Sequence, residues 1–167
     1  MLYLLDADTL IRADSTYYPL ERFPVFWEWL LHHSQVGNIK IPQEQFDEVV
    51  AGTGGLVDWL SDKTRKEALL LSGVVDPLLL TRVIEQGYAS DLDETELITV
   101  GKDPFLIAYG IVSIADRMLV SFEVSAPRKQ RANKKIPDVC AHFGLKCINM
   151  FDLIKALDFT TNWKPPR

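Results

Sequence analysis

The chain predicts an α/β fold, a three-layer α/β/α sandwich around a central, mostly parallel sheet. Three observations carry this. Leu2–Leu5 is a short continuous apolar run that stops at Asp6, the pattern of a strand buried on both faces. The pattern returns late in the chain, where the apolar run ending at Val120 leads into Ser121 and Glu123. Between and after these runs, short strand candidates alternate with helical patterns. Right-handed crossovers between parallel strands then bring every strand's carboxyl end to one edge, with helices on both faces.

Taken in order, Leu2–Leu5 is the first strand, and Asp6, Asp8 and Thr9 form a polar cluster at its carboxyl end. Asp6 reads equally as an N-cap of a helix starting near Leu10-Ile11. Arg12 to Pro24 is polar, aromatic and proline-bearing, and reads as a loop. Val25 to Val36 has the spacing of a helix through Phe26, Trp27, Trp29 and Leu30, with both tryptophans as packing residues. Gly37-Asn38 ends it, and Ile39–Ile41 is a second strand. Pro42 suits a first helical position, and Gln43 to Ala51 continues as a helix carrying Glu48.

Gly52 to Gly55 breaks the chain before a short helix, Leu56 to Leu60. Lys63 to Lys66 reads as solvated, and Ala68 to Leu71 as strand or helix. Pro77 to Gly87 is helical with Leu79, Leu80, Val83 and Ile84 inward. The acids from Asp91 to Glu96 suit a solvated helix start, where the helix dipole favours them, better than a metal site. Asp103 can cap a helix opened by Pro104, and Phe105 to Ala115 is apolar nearly all round. After the late strand and a basic connection, Ile136 to Phe143 is a helix stopped by Gly144. Lys146 to Asn149 is the last strand and Phe151 to Leu157 the last helix. The tail from Asn162 to Arg167 is expected to fray.

At 167 residues, 47% hydrophobic and 25% charged, the sequence suits one domain over residues 1–167 with a core that needs no staples. Cys140 and Cys147 match neither a disulfide framework nor a zinc pattern. No run of eighteen apolar residues exists, so no membrane partner is expected. Leu2–Leu5 is too short for a signal peptide's apolar core, and a cytoplasmic location is the default. A net charge of −5 argues against broad nonspecific affinity for nucleic acid.

Four carboxylates converge in this scheme. Asp6 and Glu123 follow strands, Asp103 begins the helix that feeds the late strand, and Glu48 sits inside the helix after the second strand. Close unpaired anions raise one another's pKa. A divalent cation resolves this, and Mg²⁺ or Mn²⁺ needs only carboxylates and water. Phosphodiester hydrolysis is the chemistry such a site supports. Ser121 is either a hydrogen-bond partner for a metal-bound water at this site or simply the end of a strand. Asp138 is either a fifth acid or a cap after Pro137. The basic run Arg128, Lys129, Arg131, Lys134 and Lys135 is either an RNA-backbone grip or a solvated loop.

On these residues the chain resembles the PIN-domain nucleases. Leu-Leu-Asp6-Ala-Asp8-Thr9 is similar to their opening strand and first aspartate, with Asp8 where asparagine is usual. Ile41-Pro42 followed by Glu48-Val49 is similar to their second acidic segment, and Asp103-Pro-Phe-Leu-Ile-Ala108 to the helix with the third acid. Leu119-Val-Ser-Phe-Glu123 is similar to the fourth, with Glu in place of Asp. The closest likeness is to a PIN-like branch combining Tyr17-Tyr18-Pro19 and Phe23-Pro24 with Glu123 to Pro127 and Lys135 to Cys140. The resemblance implies Mg²⁺ or Mn²⁺, endoribonuclease activity with RNA as substrate, and, as in many bacterial members, a toxin with a paired antitoxin and a homodimer.

Two other readings stay open. Asp6-Ala-Asp8-Thr9 also matches a haloacid-dehalogenase-like phosphatase, with Asp6 as nucleophile, Asp8 as acid/base and Ser121 and Lys134 in support. That reading leaves Asp103 idle and lacks a final acid pair. The other is a PIN-like binding module that has lost its metal, which Glu123 in place of Asp favours.

Overall fold

A computed structural model describes residues 1–165. Four parallel strands lie in the order β2-β1-β3-β4, with β1 Leu2–Leu5, β2 Ile39–Lys40, β3 Arg117–Val120 and β4 Cys147–Ile148. Helices cover both faces, so the expected three-layer α/β/α sandwich is the observed fold.

Strand alternation divides the core. Tyr3, Leu5 and Val120 face one helical layer, while Leu4 and Leu119 face the other. The first layer holds α1 (Ala7–Arg12), α2 (Pro24–Gln35), α3 (Gln43–Val50), α4 (Gly55–Leu60), α5 (Lys63–Leu69) and α10 (Met150–Ala156). It packs Phe26, Trp27 and Trp29 as a buried aromatic block, the packing role expected for both tryptophans. The second layer holds α6 (Pro77–Arg82), α7 (Glu94–Val100), α8 (Asp103–Ile111) and α9 (Ile136–His142).

Several elements differ from expectation. The first half of the segment after Ile11 is helical rather than irregular, because α1 runs on into a π-helical turn, Ala13–Tyr17, while residues 18–23 are bend and turn as expected. The helix from Pro77 likewise ends in a π-helical turn, Val83–Tyr88. The ambiguous stretch at Ala68–Leu71 closes α5 and then extends the sheet edge through a parallel bridge between Leu70 and Ile41. The acids at Asp93 and Glu96 do start a helix as expected, opening α7 through a reciprocal capping box. Trp163 packs against the first layer, its ring 5.5 Å from that of His32, so packing continues past Asn162, where fraying was expected. Pro166 and Arg167 of that tail lie outside the described residues. Among the described residues no helix is long and apolar enough to cross a membrane.

Candidate functional site

The strands after β1 are added on opposite sides of it, β2 on one and β3 on the other. The carboxyl edge between β1 and β3 is therefore the sheet's switch point, the crevice where open α/β sheets bind ligands. Asp6 is the first residue past β1 and Ser121 the first past β3. The Asp6 backbone N–H donates to the Val120 carbonyl at 3.0 Å, and Ser121 Oγ donates to Asp6 Oδ2 at 2.9 Å. Thr9 Oγ1 donates to the same Val120 carbonyl at 3.0 Å. Asp6 occupies the N-cap position of α1, yet its side chain makes no capping bond. Its carboxylate, 7% exposed, is held instead by Ser121 across the switch point.

Asp103 arrives from the second layer. It is the first residue of α8 rather than its cap, a position taken by Lys102 without a side-chain bond. Gln45 Nε2, on α3, donates to the Lys102 carbonyl at 2.9 Å and ties the start of α8 to the first layer. Beside this junction lies a cleft of about 460 Å³ lined by Glu44, Asp47, Glu48, Thr99, Lys102 and Asp103 among others.

Burial is the first cause that raises the Asp6 pKa, to about 6; the Ser121 hydrogen bond opposes it, and the charges of Asp8, Glu48 and Glu123 add to it. Asp103 is pushed up to about 8, first by burial and then by Asp6, Glu123 and Glu48, with Lys135 opposing. Among the described residues neither acid has an ion-pair partner, and the Asp103 side chain accepts no hydrogen bond. The charges of Glu48 and Glu123 thus reach both Asp6 and Asp103, but the four expected acids do not play equal parts. Glu48 is exposed. Glu123 is engaged through both oxygens, Oε1 accepting from Lys135 Nζ at 2.7 Å and Oε2 from the Ile136 N–H at 2.7 Å. Its own N–H donates to Ser121 Oγ at 3.1 Å. Glu123 therefore binds the start of α9 rather than presenting a free carboxylate. Among the described residues no group of three or more His, Cys, Asp or Glu is gathered to hold an ion.

The remaining expected residues divide. Asp8 pairs with Arg12 at 2.7 Å along α1. Asp138 neither caps α9 nor joins the acids; it accepts from Ser125 Oγ and, at 2.8 Å, from the Ala126 N–H, closing the loop before α9. The five basic residues do not form one open grip. Arg131 donates to Glu96 and Asp91 at 2.7 Å each, Lys134 Nζ donates to the Gly87 carbonyl at 2.9 Å, and Lys135 serves Glu123. Only Arg128 and Lys129 of the run are exposed and without an internal partner among the described residues. The phosphatase reading needs Asp8 and Lys134, and both are engaged elsewhere.

One residue at this site was missed. Tyr88 is 4% exposed, and its hydroxyl has no hydrogen-bond partner among the described residues. Burial raises its pKa first, and the charges of Asp103, Glu123 and Asp6 all add to it, so the phenol belongs with the acids. It closes the π-helical turn Val83–Tyr88, a register shift often found at functional sites. A tyrosine at the end of an ordinary helical pattern carries no local signal of this; only the packing of α8 and α9 around that turn reveals it.

A family model described as a domain of unknown function, DUF4411, matches residues 3–161. The chain belongs to that family. Every acid of the rim from Asp6 to Glu123 lies inside the matched DUF4411 domain. No curated protein and no solved structure matches the chain.

Proposed function

We propose that this DUF4411 chain is a metal-dependent endoribonuclease that hydrolyses RNA phosphodiester bonds at the β1–β3 switch point. One observation carries the reading. Asp6 at the end of β1 and Asp103 at the start of α8 converge on one edge, Asp6 buried and Asp103 half-buried, neither with an ion-pair partner among the described residues, and the charge of Asp6 adds to the rise of the Asp103 pKa. Such a pair is unfavourable when both are ionised and becomes favourable around a hard cation.

The donor set fits Mg²⁺ or Mn²⁺. Both candidate ligands are carboxylates, and Mg²⁺ is commonly held by one or two carboxylates, several waters and a substrate phosphate, so a complete protein cage is not required. Asp6 and Asp103 would hold the ion, with exposed Glu48 reaching the same region from solvent. When bound, the ion supplies a more acidic water and neutralises charge on the phosphoryl oxygens. The chain's own part is positional. Ser121 fixes the rotamer of Asp6, and the Gln45–Lys102 bond sets the start of α8 and with it Asp103. Lys135 and the Ile136 N–H keep Glu123 from adding a second uncompensated charge. The antitoxin partner and the homodimer are supported by the family resemblance alone.

The engagement of Glu123 favours one second reading, a module that binds through this edge without cleaving. The same experiment separates the two. Loss of residues that merely orient metal ligands commonly costs 10–100-fold, so Asp6→Asn and Asp103→Asn are each expected to lose about 100-fold or more of Mn²⁺-dependent cleavage of single-stranded RNA. Both variants should stay folded and lose the Mn²⁺-induced rise in Tm. Undiminished cleavage in both overturns the proposal. A wild type that neither cleaves nor shows a Mn²⁺-induced rise in Tm identifies the binding module.

A further inference from the structure

The rim has a second end whose composition differs from the acidic cleft. Phe122 stands between Ser121 and Glu123 and stacks on Tyr17, ring centroids 5.3 Å apart at 17°. Phe151, in the first turn of α10, meets Tyr17 edge-on at 5.0 Å and Phe122 at 5.9 Å. The Arg12 guanidinium lies 5.7 Å from the Phe122 ring centre. Packing alone does not account for this cluster, because Tyr17 remains 38% and Phe151 39% exposed. A groove of about 400 Å³ opens beside them, lined by Ser121, Phe122, Glu123, Asn149, Phe151 and Asp152 among others. It therefore shares two lining residues with the network around Asp6.

The charges here are already balanced. Glu123 is paired with Lys135, Asp152 with Lys155 at 3.6 Å, and Asp8 with Arg12. A polyanion approaching this end meets neutralised carboxylates, in contrast to the acids around Asp103. The Asn149 side-chain oxygen caps α10 by accepting from the Asp152 N–H, and its amide nitrogen makes no hydrogen bond among the described residues. The part-exposed rings of Tyr17 and Phe151 and a free amide donor are what an unpaired base uses, through stacking and one edge contact. An apolar peptide would leave the Asn149 amide donor without a role.

We infer that the β3–β4 end of the rim is a stacking subsite for an unpaired nucleobase, so that the substrate is single-stranded RNA laid across the sheet edge with a base against the exposed parts of Tyr17 and Phe151, which Phe122 backs. The cleavage half of this rests on the nuclease reading; the stacking half does not. Duplex RNA is excluded because its bases are stacked on one another and its readable edges are recessed.

The test uses the full chain in EDTA with an oligoribonucleotide carrying 2-aminopurine, as a single strand and as a duplex. The single strand should quench on binding and bind more tightly than the duplex. Phe151→Ala should weaken single-strand affinity ~10-fold, the loss expected for one stacked base, with the Mn²⁺-induced rise in Tm unchanged. Phe151→Leu, which keeps apolar bulk without a ring, should show the same loss and guards against a folding defect. Equal affinity for duplex, or wild-type affinity in both Phe151 variants, overturns the subsite. Quenching without cleavage when Mn²⁺ is restored supports the subsite while refuting the nuclease reading; cleavage without quenching overturns the subsite alone.

Discussion

Asp6 and Asp103 give the molecule a stability that depends on pH in a defined direction. Both folded-state pKa values are raised, to about 6 and about 8, so the folded chain holds these protons more tightly than the unfolded chain. Their contribution is fully present below the ordinary carboxylate range and is lost as pH rises through about 6 and then about 8. Without metal, Asp103→Asn is therefore expected to match the wild type near pH 4 and to exceed it at pH 8. The gain should be about 2–5 kcal/mol, the upper end being the full shift from 3.8 to about 8, or about 5–15 °C at this length, read by thermal melts across pH. Mn²⁺ should reverse the order by stabilising the wild type more at pH 8 than at pH 5, since it binds the ionised pair. A variant that melts like the wild type at every pH would show that Asp103 carries no such penalty. Tyr88 belongs to the same scale. Its unpartnered hydroxyl gains nothing from burial, so Tyr88→Phe should leave Tm unchanged or raise it while lowering metal-dependent cleavage. Equal activity would place the phenol outside the reaction.

At the scale of elements, the site is built by how closely α8 lies on the sheet. Gly110 permits that approach, because a Cβ there would stand 2.5 Å from Leu145 Cδ2 and 3.0 Å from Leu119 Cδ2. Gly110→Ala is expected to destabilise by about 1–3 kcal/mol through overpacking. Chemical denaturation read by circular dichroism checks it, and an unchanged midpoint would mean the leucines yield freely. The loop before α9 is fastened differently. Arg131 adopts a left-handed backbone, φ +52°, which a long side chain tolerates only when its surroundings hold it. Glu96 and Asp91 hold it here, and the Arg131 hydrogen bond is the main reason the Glu96 carboxyl lies at about 2. A basic run read along the chain looks like a surface for phosphates; folded, most of it fastens this loop and the start of α9.

At the scale of the molecule, the two layers meet through a narrow sheet and, at its rim, through the Gln45–Lys102 hydrogen bond, so their coupling can be measured. All four tryptophans pack in the first layer. Gly110 lies in the second. If the layers unfold as one unit, Gly110→Ala must shift the tryptophan fluorescence transition by as much as the circular dichroism transition. Separate shifts would show that neither the sheet nor this bond couples them. The same arrangement explains why the proposed site has two unlike ends. The second layer delivers Asp103 and Tyr88 to one side of the switch point, while α1 and α10 of the first layer deliver Tyr17 and Phe151 to the other.

The sequence by itself determined the layers and the edge. Apolar runs ending abruptly at Asp6 and Ser121, alternating with helical patterns, are enough to specify parallel strands and a shared carboxyl rim, because burial on both faces and crossover handedness leave few other solutions. It also marked the acids that reach the rim. Only the tertiary structure decided which of them are free to act. Whether a carboxylate is a ligand, a cap or a clasp depends on what faces it, and those partners come from far along the chain. Ser121 turns Asp6 away from its own helix, Lys135 and Ile136 occupy Glu123, and Ser125 and Ala126 occupy Asp138. Residue spacing specifies where a side chain starts, whereas its charge state and partners are set by packing across layers.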